Sequence, residues 1–322
     1  MIAGFLDYLT LERAYSSHTV ASYENDLRAF EAYLKQTDDG LGLRDVDADL
    51  VRGWAMNLMS AGMKATSVNR KLSSLRTFYK YLLKKGLVEV SPMQSVHGPK
   101  RTKPLPQFVR EADMERMLSA TAQGDTWQEV REHVILQLFY ETGIRLSELV
   151  GLNVEDVDFG RQTIKVTGKR NKQRIIPIGQ GMADSLKRYM EMRDSRPSPL
   201  NGQRTPSGWE FSSSLIIKHS TFNIQHSPPL FTTDKGERIY PRMVYGIVRK
   251  NLSQVVTLKK RSPHVLRHTF ATVMLNNEAE LEAVKELMGH ESVSTTQIYT
   301  HTTFEELKKA YSQAHPRANI NQ

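Results

Sequence analysis

Between Ser262 and Tyr299 the chain gathers His264, Arg267, His268, His290 and Tyr299, in the stretches Ser262-Pro-His-Val-Leu-Arg-His-Thr-Phe270 and Met288-Gly-His-Glu-Ser-Val-Ser-Thr-Thr-Gln-Ile-Tyr299. These are groups that can attack a phosphodiester with a phenol in place of metal-activated water. Such a reaction needs charge stabilisation on the non-bridging oxygens, a nucleophile, and a proton donor for the leaving alkoxide. Arginine suits the first task, because its planar fork holds two phosphate oxygens at once and stays charged. A tyrosine hydroxyl, with an ordinary pKa of about 10, attacks well only where positive charge and a base favour the phenolate. Arg145, Arg267, His264 and His290 would supply that setting for Tyr299.

Each residue also has a plainer reading. Arg145 follows Thr142-Gly-Ile at the start of Leu-Ser-Glu-Leu, so a glycine break presents it where a helix begins. A surface or capping ion pair would use an arginine in the same way. Arg267 lies three residues after His264 and is expected on the same helix face. The four-residue spacing of His264 and His268 also matches helical zinc pairs, although no glutamate separates them as in a metalloprotease helix. Tyr299 is one of 12 tyrosines, and its simplest role is packing with a satisfied hydroxyl. Lys169, in the turn Gly168-Lys-Arg-Asn171, could deliver a proton to a 5′ leaving oxygen; Arg170, Lys172 and Arg174 are equally eligible on physical grounds.

These residues must be carried by a larger frame. A chain of 322 residues favours two domains, and four prolines with three basic residues between 92 and 106 mark an extended linker. Residues 1–90 are expected to be helical, 91–106 the linker, and 107–322 the second domain. In the first domain Val68, Leu72, Leu75, Tyr79 and Leu82 form a single helical stripe, with weaker amphipathic segments at about 2–13, 19–36 and 47–61. Arg70, Lys71, Ser74 and Lys80 fall largely outside the stripe. The second domain is expected to hold helices near 110–122 and 126–142, then strands at Val154–Phe159, Thr163–Val166 and Arg174–Ile178. Residues 196–229, rich in Pro, Ser, Gly and Asn, are expected to form a long surface excursion. Helices resume at about 241–255, 264–276 and 280–288. The fold class is therefore mainly α, with a small antiparallel β-sheet in the C-terminal domain.

Lys and Arg total 44 against 35 Asp and Glu, a surplus of nine that favours a polyanionic partner. No apolar run approaches the length of a spanning helix, so nucleic acid is preferred to a membrane, with no membrane anchor and a cytoplasmic location expected. The absence of cysteine excludes disulfides, thiolate zinc sites and cysteine nucleophiles together.

Four motifs then converge. Thr142-Gly-Ile-Arg-Leu-Ser-Glu-Leu149, Gly168-Lys-Arg-Asn-Lys-Gln-Arg174 with Ile-Ile-Pro-Ile178, Pro263-His-Val-Leu-Arg-His268, and Leu287-Met-Gly-His290 leading to Tyr299 resemble, in order and spacing, the successive motifs of the tyrosine recombinases. The similarity is nearest to the bacterial Xer branch (XerC and XerD type), whose closing His-Pro-Arg-Ala also stands here at 315–318. The resemblance implies a two-domain, C-shaped clamp on double-stranded DNA carrying a specific recombination site. It implies that Arg145 and Arg267 grip the scissile phosphate and that Lys169 protonates the 5′ oxygen. His264 would act as base or hydrogen-bond partner, His290 would support the phosphate, and Tyr299 would form a 3′-phosphotyrosyl link. No metal or nucleotide cofactor is implied. The family works as a tetramer, homomeric or with a related recombinase, through a C-terminal docking helix, for which 303–314 has the right character. For the first domain and linker, Arg70, Lys71, Ser74, Lys100 and Arg101 are the candidate DNA contacts. Chromosome dimer resolution and mobile-element integration or inversion would use the same chemistry; the long 196–229 excursion leaves both open, alongside a type IB topoisomerase and a non-catalytic DNA-binding protein.

Overall fold

The computed structural model describes residues 1–100, 107–168, 171–196, 227–258, 260–289 and 304–318. The chain divides into two compact units, Met1–Pro104 and Leu105–Gln322.

The first unit is built from α1 (Ile2–Asp7), a π-helical turn (Tyr8–Glu12), α2 (Ser17–Thr37), α3 (Ala48–Ser60) and α4 (Ala65–Lys84). Two starts are capped by side chains: Ser16 Oγ accepts from Thr19 N at 3.3 Å and Asp47 Oδ1 from Leu50 N at 2.8 Å. The α4 stripe of Val68, Leu72, Leu75, Tyr79 and Leu82 is buried against Phe5, Leu27, Phe30 and Trp54. Tyr79 carries its hydroxyl into this core and donates it to the Leu43 carbonyl at 2.9 Å. Ser74, expected outside the stripe, is buried with it. The reason is a partner: its hydroxyl donates to Asp26 Oδ2 on α2 at 2.7 Å, which lets a small polar side chain sit inside the interface.

In the second unit α5 (Glu111–Ala122), α6 (Trp127–Thr142) and α7 (Leu146–Gly151) precede a three-stranded antiparallel sheet, β1 (Val157–Asp158), β2 (Thr163–Thr167) and β3 (Gln173–Pro177), in the order β1-β2-β3. Then come α8 (Gln180–Asp194), α9 (Pro241–Val255), α10 (Pro263–Asn276), α11 (Leu281–Met288) and α12 (Phe304–Ala314). Helix α6 is central, buried on nearly every side from Val130 to Thr142. A capping box between Thr126 and Glu129 starts it, and Gly143, at φ 57°, ends it in the left-handed conformation. A β-carbon at Gly143 would lie 2.4 Å from Phe270 Cδ1, so α6 can turn toward α10 there only through glycine.

Three features differ from the sequence expectation. The strand expected from Val154 begins as a 3-10 turn, Val154–Asp156, because Asp156 Oδ2 accepts from Asn153 N at 2.9 Å and leaves only Val157 and Asp158 to pair. Helix α8 was not anticipated; it opens on Gly179 with no side-chain cap and buries Met182, Ala183, Leu186, Tyr189 and Met190. The last residues of the expected excursion belong to the framework. Val154 N donates to Pro228 O at 3.0 Å and Arg193 Nη1 to Pro229 O at 3.0 Å, while 197–226 lie outside the described residues.

Helix α12 rests on α10, α11 and β3 of its own chain and buries Leu307, Tyr311 and Ala314. The segment after it is anchored too: His315 Nε2 lies 3.1 Å from Tyr140 O, and Arg317 donates to both Glu115 oxygens at 2.9 Å.

Candidate functional site

Two arginines from separate elements bond one carboxylate in the second unit, and a third lies close beside them. Arg145 sits at the N-cap of α7, Arg174 in β3 and Arg267 in α10. The carboxylate is Glu148, one turn into α7 and buried. Arg145 Nη1 and Arg174 Nη1 each donate to its Oε1 at 2.7 Å, and Arg174 Nη2 donates to Oε2 at 2.9 Å. Burial by itself would raise the Glu148 pKa, but hydrogen bonds from Arg174 and from the Arg145 backbone, with the arginine charges, outweigh it and hold the group at about 2. The glutamate is therefore a permanent anion among cations.

The remaining partners are helix-end carbonyls. Arg267 donates through Nη1 to Gly143 O at the end of α6 and through Nη2 to Met288 O at the end of α11. Arg174 Nε donates to Leu287 O at 2.7 Å, and Arg145 Nη2 to Gly289 O. The last carbonyls of a helix lack intrahelical donors and carry the negative end of its dipole, so two helix termini make a natural cradle for guanidinium groups. Gly289 closes the cradle at φ 63°; a β-carbon there would come within 3.0 Å of Arg174 Nη1 and 3.2 Å of Arg145 Nη1.

With three guanidiniums facing one glutamate the site keeps a surplus of positive charge. Arg267 shows the strain: burial, then the neighbouring Arg145 and Arg174 charges, lower its pKa to about 10, still well above neutrality. Arg145 is the most open of the three, its side chain 34% exposed against 14% for Arg174. Such a cluster can receive an additional anion with tetrahedral oxygens.

The structure brings Arg145 and Arg267 together across more than a hundred residues of sequence. It departs from the expectation that Arg267 shares a face with His264: Arg267 is buried, while His264 and His268 are both exposed on α10. A 100° step per residue sets positions three apart 60° away from each other, enough at this helix edge to put one side chain inside and the other outside. Among the described residues no three His, Asp or Glu side chains are grouped to hold a metal ion. Lys169, His290 and Tyr299 lie outside the described residues. Between β2 and β3, Gly168 N donates to Lys172 O at 2.7 Å. Glu148 is a site residue that the sequence reading does not name, and Arg174 enters it only as an alternative to Lys169 for proton delivery; both stand inside the quoted motifs. The available signal was Glu148 three residues after Arg145, where a carboxylate caps the start of a helix.

The candidate contacts of the first unit behave differently. Arg70 donates from both ends of its fork to Asp26 and from Nη1 to Ser22 Oγ at 2.7 Å, and Lys71 Nζ donates to Asp26 Oδ1 at 3.0 Å. With Ser74 they surround one buried carboxylate, so Ser74 is a packing residue and not a surface contact. Arg70 remains half exposed and lines a 340 Å³ groove with His18, Thr19, Ser22, Tyr23 and Ser73. Lys100 is exposed, and Arg101 lies outside the described residues.

Comparison with known proteins gives these features a context. Residues 107–306 match the phage integrase family, and residues 2–86 match the phage integrase N-terminal SAM-like domain. Tyrosine recombinase XerC of Pediococcus pentosaceus is 38% identical over 323 residues, covering 99% of this chain and 98% of the relative. The protein of the same name from Thermodesulfovibrio yellowstonii is 36% identical over 315 residues, covering 98% and 96%. Among solved structures, XerH site-specific recombinase bound to palindromic difH substrate shares the fold, with a TM-score of 0.67 at 20% identity over 93% of this chain and 81% of that one. Both halves of the sequence match in order, and the relatives align from end to end: the chain belongs to the phage integrase family of tyrosine recombinases.

Proposed function

We propose that the protein is an Xer-type site-specific DNA recombinase that cuts and rejoins strands through a 3′-phosphotyrosyl intermediate. The observation that carries this reading is the convergence of Arg145 and Arg267 on helix-end carbonyls beside Glu148, which builds a fixed, positively charged seat for one phosphodiester. Arg145 and Arg267 neutralise the non-bridging oxygens as the phosphorane forms. The Tyr299 oxygen attacks phosphorus, the P–O5′ bond breaks, and Lys169 transfers a proton to the departing 5′ oxygen. His264 accepts the phenolic proton or orients the phenol, and His290 supports the phosphate. The bond energy stays in the phosphotyrosyl ester, so the 5′-hydroxyl of a partner strand reseals the duplex without a nucleotide cofactor.

The relatives' shared name supports the Xer assignment, and with it a cytoplasmic role in chromosome partition at cell division. No helix among the described residues is long and apolar enough to cross a membrane. Exchange between two duplexes calls for four protomers, as a homotetramer or with a related recombinase.

The test is a nicked suicide duplex carrying the cognate site, assayed for a denaturation-resistant protein–DNA adduct. Wild type forms the adduct and Tyr299→Phe does not. An adduct with Tyr299→Phe, or none with wild type on any cognate site, overturns the reading; relaxation of plasmids lacking a site points to a topoisomerase.

A further inference from the structure

We propose that Arg174 is a positioning residue for strand cleavage, fixing the Arg145 guanidinium for the scissile phosphate through Glu148 and the end of α11. The proposal rests on the assignment of Arg145 to that phosphate.

All three guanidinium nitrogens of Arg174 are engaged inside the protein: Nη1 and Nη2 on the two Glu148 oxygens, Nε on Leu287 O. Its side chain is 14% exposed, so it is poorly placed to meet DNA itself. Its two anchor points are, however, next to the two acceptors that hold Arg145. Arg145 Nη1 rests on the same Glu148 Oε1, and Arg145 Nη2 rests on Gly289 O, two residues beyond Leu287. By occupying both carboxylate oxygens Arg174 leaves the Arg145 guanidinium only a single-point contact with Glu148, beside the bond from the Arg145 backbone N–H. Without it, Glu148 and Arg145 are free to close into a two-point pair, the preferred geometry for these groups. That rotation turns the Arg145 fork inward, away from the open side where an anion arrives. Arg174 also stands on β3, paired with Val166 of β2, so the same side chain holds the sheet edge to α7 and α11. Lysine cannot replace it, because a single ammonium cannot span two carboxylate oxygens and a carbonyl in the plane of a fork.

The experiment compares Arg174→Gln, Arg174→Lys and Arg145→Ala with wild type in single-turnover adduct formation. Two nicked duplexes are used, one with a scissile phosphodiester and one with a methylphosphonate, taken as each resolved diastereomer. A methylphosphonate lacks the non-bridging charge that Arg145 is there to meet. Thermal denaturation and DNA binding by gel shift select variants that remain folded, and Arg174→Lys carries the test if Arg174→Gln does not. On the phosphodiester all three variants are expected to be slower than wild type, on the order of 10²-fold. On the methylphosphonate Arg145→Ala and the folded Arg174 variants recover together, to within about tenfold of wild type. If Arg145→Ala recovers while the Arg174 variants stay equally slow on both substrates, Arg174 is only a structural brace and the proposal fails. Wild-type speed for Arg174→Lys on the phosphodiester also overturns it, since charge without the fork would then suffice. Failure of Arg145→Ala itself to recover is a separate outcome: it removes the assignment of Arg145 and the proposal built on it.

Discussion

Arg145 and Glu148 hold each other twice: the Arg145 backbone N–H donates to Glu148 Oε2 at 2.8 Å, and Nη1 of the same residue donates to Oε1 at 2.7 Å. One carboxylate thus caps the first turn of α7 and orients the arginine that begins it. Removing its charge should affect both stability and cleavage. The folded pKa of about 2, against an ordinary 4.5, corresponds to roughly 3 kcal/mol of stability. Because the folded value is depressed, that contribution is complete above pH 4.5 and is lost as pH falls toward 2. Glu148→Gln should therefore lower the melting temperature at pH 7 by about 6–12 °C, for roughly 2–4 °C per kcal/mol in a unit of this size. The gap between wild type and variant should narrow as pH drops below 4.5. A gap constant across pH would show that the charge is not what stabilises the site.

Gly289 is expected to tolerate no side chain. Alanine there must adopt a left-handed conformation, at a cost of about 1–2 kcal/mol, and its β-carbon would press on two guanidiniums at 3.0–3.2 Å. The arginines must shift by a few tenths of an ångström, and misplaced catalytic groups lose rate steeply. Gly289→Ala should slow adduct formation on the order of tenfold or more while binding DNA with near wild-type affinity. Equal losses in binding and cleavage would place its effect on folding alone.

The features legible in the sequence were those with a strong period or a special residue. The α4 stripe from Val68 to Leu82 announces its helix because each apolar residue returns to one face, and Gly143 marks the end of α6 because only glycine fits. Helix α8 escaped because Gln180 and Gly181 open it without a side-chain cap and its buried face is partly methionine and alanine. The arginine cluster was half legible: Arg145 and Arg267 followed from type and motif, whereas Arg174 was one of several interchangeable basic residues beside a turn. What singles it out is a strand register, Val166 opposite Arg174, and the proximity of α11, neither of which local pattern encodes. Ser74 went wrong for the converse reason. A serine between Lys71 and Tyr79 reads as surface unless Asp26, 48 residues away, is known to face it.

That difference sets up a paired test in the first unit. Ser74→Ala should destabilise the protein by about 1 kcal/mol, the usual worth of a buried hydrogen bond, without altering how DNA affinity depends on salt. Lys100→Ala should leave stability unchanged and reduce the slope of log affinity against log salt by about one, as expected for a lost phosphate contact. Fluorescence anisotropy across a salt series reads the slopes and thermal denaturation reads the stabilities. A slope change in Ser74→Ala would return that residue to the DNA surface.

Glu141 gives the second unit a pH dependence of the opposite sign to Glu148. It is buried in α6, with Oε1 accepting from Gln137 Nε2 at 2.8 Å and Oε2 unpartnered among the described residues. Burial is the main cause that raises its pKa to about 7; the Gln137 hydrogen bond pulls the other way and is not enough. A raised folded pKa means the stability tied to this group is complete below the ordinary 4.5 and is lost as pH rises through 7. His315, in the segment that follows α12, opposes it. Burial lowers its pKa to about 4, so its contribution is complete above 6.5 and lost as pH falls through 4. The two trends offset each other in the wild type across the same range. Glu141→Gln mimics the protonated carboxyl and removes one of them. It should raise the melting temperature by several degrees at pH 8, for a gain of up to roughly 3 kcal/mol, and by nothing at pH 4.5. The variant's stability should then rise with pH between 4 and 6.5, following His315 and the buried His133 of α6, whose pKa burial also lowers to about 4. An equal gain at both pH values would mean that the amide improves packing and that the buried carboxyl never carries charge.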